Sequence, residues 1–132
     1  MDWIPERYLD LLKDETKAFG CLATLMKNGS PQATPIWFNT DGTYILINSA
    51  KGRVKDRNMR RNHAVALVIT DPRDPYRYIQ IRGKVIEITT NGAREHIDAL
   101  SKKYTGRDKY SSGSAGEIRV IYKIQPEPVS SH

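Results

Sequence analysis

Ala18-Phe19-Gly20-Cys21-Leu22-Ala23-Thr24-Leu25-Met26-Lys27-Asn28-Gly29 opens the stretch that decides the fold. An apolar run ends in Asn-Gly, a pair that readily takes the positive φ values of a tight hairpin turn. A second strand is expected from Gln32 to Asn39, and Asp41-Gly42 repeats the turn signal. Tyr44-Ile45-Leu46-Ile47 is then a continuous apolar run, short enough for a strand buried on both faces. Three strands joined by short turns predict an antiparallel meander.

Working outward, Pro5 to about Asp14 reads as a short helix with Tyr8, Leu9, Leu11 and Leu12 on its apolar side. Ala64 to Thr70 is β-branched and apolar, a further buried strand that ends in the loop Asp71 to Pro75. From Tyr76 to Thr89 the apolar positions change phase: Ile79, Ile81 and Val85 are odd, Ile86 and Ile88 even. A strand has period two, so a bulge or sharp bend is expected near Gly83. Asn91 is positioned to cap a helix with Ala93, Ile97, Leu100 and Tyr104 on one face, reaching about Lys103. Thr105 to Gly116, rich in Gly and Ser, reads as a mobile loop, and Glu117 to Ile124 as a last alternating strand. These elements predict a mainly β chain, one barrel domain over residues 1–124 with helices filling its ends, and a disordered tail over 125–132.

Composition narrows the function. Of 132 residues, 39% are apolar and 27% charged, the balance of a globular domain. No apolar run approaches the roughly 18 residues of a spanning helix, and the N-terminus lacks the basic start and apolar stretch of a secretory signal, so no membrane association and a cytoplasmic location are expected. The single Cys21 excludes an intramolecular disulfide. His63, His96 and His132 are dispersed without ligand spacing, so no metal is expected. The Gly-rich phosphate loops and the GxSxG elbow are absent, and nothing pairs a nucleophile with a base, so an enzyme built on this chain would borrow its reactive group from a cofactor.

The net charge is +6, and its distribution is uneven. Between Lys51 and Arg61 six basic residues face Asp56 alone. A helix beginning just after Ser49 would offer its N-terminal N–H groups and this charge to an anion, with Lys51, Lys55 and Asn58 on one face and Arg53, Arg57 and Arg60 opposite. A solvated surface run is the competing reading. The segment has no aromatic residue for base stacking, which argues against a nucleic-acid partner. Pro35 inside a strand marks an edge or a place of approach, and Trp37 faces the same way. Tyr76 and Tyr78 share a face after a proline-bounded loop.

Taken in order, Gly20-Cys21-Leu22-Ala23-Thr24, Asn28-Gly29-Ser30-Pro31-Gln32, Pro35-Ile36-Trp37-Phe38 and Lys55-Asp56-Arg57-Asn58-Met59-Arg60-Arg61 resemble the pyridoxamine 5′-phosphate oxidase-like split β-barrel superfamily, above all its flavin/deazaflavin oxidoreductases that use coenzyme F420. The resemblance implies a six-stranded antiparallel split barrel, a homodimer with cofactor at the subunit interface, and a small-molecule substrate. It implies that Arg53, Lys55 and Asn58, with Asn48 and Ser49 at the end of the preceding strand, hold the cofactor phosphate, to which the helix face adds Lys51. Pro35 and Trp37 would lie along the ring system, and Tyr76 and Tyr78 would reach it from the partner subunit. The implied reaction is hydride transfer from reduced deazaflavin to an electron-poor substrate. FMN is the alternative cofactor, and a non-catalytic cofactor-binding protein the alternative role. No catalytic residue is named.

Overall fold

The computed structural model describes residues 2–111 and 116–129. Among these lie seven strands: β1 (Phe19–Leu25), β2 (Pro31–Ile36), β3 (Phe38–Thr40), β4 (Ile45–Ala50), β5 (Ala64–Asp71), β6 (Asp74–Thr89) and β7 (Arg119–Pro126). Two α-helices, α1 (Val54–Arg61) and α2 (Ala93–Thr105), accompany them. The strands form one antiparallel sheet in the order β2-β1-β5-β6-β7-β4-β3. The fold is mainly β, as the patterning implied, and a split barrel, as the family resemblance implied.

The meander does not form. β1 and β2 make one hairpin and β3 and β4 another, and the two lie at opposite edges of the sheet. The strand expected over Gln32 to Asn39 is broken at Trp37: Ile36 pairs with Gly20 and Phe38 with Ile47, while Trp37 has no ladder partner. Pro35 removes a donor just before this point. The chain crosses at Trp37 from one edge to the other, drawing the sheet closed, and this break makes the strand count seven instead of six.

The interior follows the period-two alternation. Leu22, Ile45, Ile47, Leu67, Ile69, Ile79, Ile81, Val120 and Ile124 point inward and are buried, joined by Met59 of α1 and Leu11 of the N-terminal segment. Each such side chain contributes roughly 1.5–3 kcal/mol on leaving water. The expected N-terminal helix is instead two 3-10 helices, Glu6–Leu12 and Asp14–Thr16, a geometry that suits short segments held by tertiary contacts. Arg77 of β6 supplies those contacts, donating to Asp10 at 2.6 Å and to the Arg7 carbonyl at 2.7 Å.

The phase change in β6 comes from a bulge three residues beyond Gly83. The register shifts between Val85 and Glu87, leaving Ile86 as the bulge and exposed. Gly83 serves a close approach: a Cβ there would lie 2.6 Å from the Gln125 carbonyl oxygen. β7 therefore continues past Ile124, and the tail does not begin at Gln125. Glu127 N–H donates to the Arg82 carbonyl and Val129 N–H to that of Trp3, both at 2.8 Å. Residues 130–132 of the expected tail lie outside the described residues, as do 112–115 of the expected mobile loop. Residues just before them are held on α2, where Tyr110 N–H donates to Asp98 and Arg94 to the Tyr110 carbonyl. α2 begins after Gly92, whose φ is +73°, and not on an Asn91 cap. Among the described residues no helix is long and apolar enough to cross a membrane.

Candidate functional site

The basic segment folds differently from a helix begun at Ser49. β4 runs on to Ala50, and Gly52, at φ +93°, turns the chain so that Arg53 stands at the N-cap of α1. Asp56 fixes this turn. Its carboxylate accepts from Gly52 N–H at 2.9 Å, from Arg60 Nε at 3.0 Å and from the Tyr122 hydroxyl. Those bonds hold the Asp56 carboxyl below the usual carboxylate range against the opposing cost of burial, and the same arrangement pushes the Tyr122 hydroxyl up, burial first and Asp56 second.

Beside this turn a cavity of about 310 Å3 opens between the β2–β3 corner, α1, α2 and β7. Pro35, Trp37, Asn48, Arg53 and Lys55 line it. These five predicted residues come from three separate stretches of chain and meet around one space. The other five do not join them. Lys51 precedes the helix instead of sharing the face of Lys55, and its backbone N–H is spent on Ile118. Ser49 is buried on the opposite face of β4 from Asn48. Asn58 is also buried, its amide donating to Thr24 Oγ1 at 3.0 Å and to Met26 Sδ at 3.3 Å, so it ties α1 to β1. Tyr76 and Tyr78 are exposed on β6, 90% and 52%, away from the cavity of their own protomer. Of the arginines, Arg60 is committed to Asp56, and Arg61 bonds Asn58 and the Leu25 carbonyl.

One wall is aromatic. Trp37 stacks on Tyr104 of α2 with centroids 5.4 Å apart, and Tyr110 meets Trp37 edge-on at 6.0 Å. The Tyr104 hydroxyl donates to the Ala18 carbonyl at 2.9 Å, and burial pushes its pKa up to about 12. Lys103, next to it, is buried, with Nζ donating to the Phe38 carbonyl at 2.7 Å over the Phe38 ring. Trp37 is thus half-buried cavity wall and not core.

The other wall is cationic. Lys55 Nζ reaches only the Thr34 hydroxyl, at 3.3 Å, and no carboxylate among the described residues. Burial lowers its pKa, and the neighbouring Arg53 and Arg119 lower it further. Glu117 is shared: Oε2 takes Arg53 at 3.1 Å and Oε1 takes Arg119 at 2.5 Å. Among the described residues three cations therefore stand beside one carboxylate, a surplus that favours an incoming anion.

Behind Arg119 lies a polar chain. Its Nε donates to Asn48 Oδ1 at 2.9 Å, Asn48 Nδ2 donates to the Ala93 carbonyl at 2.8 Å and to His96 Nδ1 at 3.1 Å, and His96 Nε2 donates to Asn39 Oδ1 at 2.9 Å. Asn48 lines the cavity with its amide already satisfied by the protein, so it orients its neighbours. Burial, and secondarily the charge of Arg119, hold the His96 pKa down to about 4. No cluster of three metal-ligating side chains exists among the described residues.

Arg119, Glu117, His96, Tyr104 and Tyr110 did not emerge from motif reading. The signal available for two of them was a pair of opposite charges, Glu117 and Arg119, at alternate positions where an apolar strand begins.

The family profile described as pyridoxamine 5′-phosphate oxidase matches residues 4–132. Among solved structures, an F420 reductase is 34% identical with a TM-score of 0.81, over 96% of this chain and 98% of its own. A Listeria innocua protein, provisionally a pyridoxamine 5′-phosphate oxidase, is 22% identical with a TM-score of 0.68, covering 95% of this chain and 94% of its own. A conserved hypothetical protein of Mycobacterium tuberculosis is 20% identical with a TM-score of 0.66, covering 92% and 80%. These last two share the fold. No curated protein matches the sequence.

Proposed function

The chain belongs to the pyridoxamine 5′-phosphate oxidase family, a split-barrel oxidoreductase family, and from that premise we propose that it is a reductase dependent on coenzyme F420. The carrying observation is Lys55, a half-buried cation whose one hydrogen-bond partner among the described residues is a hydroxyl, flanked by Arg53 and Arg119 beside an aromatic wall. A planar ring with an anionic tail matches both walls at once. At about 310 Å3 the cavity is at the low end for ligand sites, so a cofactor of this kind would extend beyond one protomer. That extension supports a homodimer in which the exposed Tyr76 and Tyr78 serve the neighbouring site.

F420 is preferred to FMN on the 34% likeness to an F420 reductase over nearly the whole chain. FMN remains the second reading, because Lys55 and Arg53 would serve its phosphate equally well. The number of arginines in the basic segment does not decide between the two, since Arg60 and Arg61 are committed elsewhere.

When bound, the reduced deazaflavin would supply a hydride to an electron-poor alkene or imine. The chain's own work is to bind and orient: Lys55 and Arg53 hold the anionic end, Trp37 and Tyr104 present a flat surface, and Pro35 and Ile36 exclude water at the corner. The test is oxidation of reduced F420 by an activated cyclic enone, followed by return of the oxidised absorbance. Enzyme-dependent turnover is expected; turnover with reduced FMN and none with reduced F420 would replace the first reading by the second.

A further inference from the structure

Arg119 is the most deeply buried cation of the cavity wall, 6% exposed. Its guanidinium is fixed on two sides. Nε is taken by Asn48 and one terminal nitrogen by Glu117. The second terminal nitrogen has no hydrogen-bond partner among the described residues. Its one carboxylate, Glu117, is divided with Arg53, and its Cζ lies 5.1 Å from the centroid of the Tyr110 ring, at the end of the row Tyr104, Trp37, Tyr110. The second terminal nitrogen keeps access to the cavity, so an incoming acceptor would replace water at a donor that the described residues leave open. A planar guanidinium held on two sides presents that donor in one fixed direction, so it selects an acceptor by position as well as by charge.

We propose that Arg119 is a second anion-recognition residue of the cavity, distinct from Lys55, and that it takes a delocalised oxyanion borne on a planar ring, with Asn48 and Glu117 as its positioning residues. The inference rests on the cavity being the ligand site, whichever cofactor fills it. It goes further in assigning two separate anionic groups to the bound species, one at the mouth beside Lys55 and one within, beside the aromatic row. The inner group could belong to the cofactor ring or to a carboxylate of the second substrate.

The probes are benzoate and its neutral isostere benzamide, titrated into the whole protein while the arginine Nε–H and backbone amide signals are followed by NMR. Wild type should bind benzoate at least tenfold more tightly than benzamide, with the Arg119 Nε–H signal moving, and Arg119→Met should abolish the preference. Lys55→Ala should retain it while losing affinity for inorganic phosphate. No preference in wild type, or a preference that survives Arg119→Met, overturns the inference. Should Arg119→Met fail to fold, Arg119→Lys decides in its place: a severalfold reduced preference supports the inference and an undiminished one overturns it. Repeating the titration with saturating F420 or FMN identifies the source, since a cofactor oxyanion on Arg119 excludes benzoate and a substrate carboxylate leaves room for it. Tight cofactor binding with no preference for benzoate would sink this inference alone, whereas failure to bind either cofactor would sink the proposed function.

Discussion

Asn48 Nδ2 lies 3.1 Å from His96 Nδ1 while Asn48 Oδ1 accepts from Arg119, so the amide orientation is fixed from both ends and the imidazole carries its proton on Nε2, toward Asn39. A proton added at Nδ1 would face the Asn48 amide donor, and turning the amide would face that donor to Arg119. The chain works only with neutral His96.

Stability should consequently fall in mild acid. The folded pKa of His96 is held down to about 4 against 6.5 unfolded, so the unfolded state binds more protons across that interval. Its stabilisation is complete above pH 6.5 and is lost as pH falls toward 4, by about 3 kcal/mol. The lowered carboxyls of Asp10, Asp41, Asp56 and Asp71 act below their ordinary 3.8. Urea midpoints between pH 7 and 4 should decline in wild type and flatten in His96→Gln; parallel curves would contradict the assignment.

Asp56 should govern the turn that carries Arg53. Asp56→Ala leaves the Tyr122 hydroxyl, the Gly52 N–H and Arg60 without their acceptor; the buried Tyr122 hydroxyl alone makes this a loss of roughly 1–3 kcal/mol, while the exposed Arg60 adds little. Asp56→Asn, which keeps one acceptor, should lose less. Denaturant unfolding of the two variants checks the order, and equal stability of Asp56→Ala and wild type would remove Asp56 from this role.

What could be read from sequence here was composition and phase; what could not was closure. The basic segment and the pair Pro35 and Trp37 stood out because charge density and a proline within a strand are local properties, and the cavity does hold Arg53, Lys55, Pro35 and Trp37. A helix wheel started at Ser49 places Lys51 on the face of Lys55, whereas Gly52 delays the first helical residue to Val54; Asn58 does lie one turn on from Lys55, but its amide is spent on Thr24 and Met26. Ser49 failed through strand alternation, which turns it away from Asn48. Arg119, His96 and Tyr104 come from β7 and α2, far along the chain from the basic segment, and only the crossing at Trp37 brings these walls together.

Tyr76 and Tyr78 are expected to lie at a subunit contact. Sedimentation at micromolar concentration should give twice the chain mass for wild type and a larger monomer fraction for the Tyr76→Ala, Tyr78→Ala double variant. A monomer that binds cofactor as tightly as a dimer would remove the shared site.

Lys55→Ala should weaken binding of either cofactor by about ten- to over a hundredfold, the worth of one charge-assisted hydrogen bond of roughly 1.5–3 kcal/mol. Salt should weaken wild type more than the variant, because screening acts on the charge removed. The fold should hold, since Lys55 has no carboxylate partner among the described residues and sits among like charges.

The central claim is that this cavity holds a deazaflavin by its anionic end and its ring. Equilibrium titration of the purified, cofactor-free protein with F420 and, separately, with FMN, read by fluorescence of the ligand and quenching of Trp37, tests it most directly. The account predicts one F420 per chain, bound more tightly than FMN, with Lys55→Ala losing most of that affinity. Binding of neither cofactor, or F420 binding unchanged in Lys55→Ala, would contradict it.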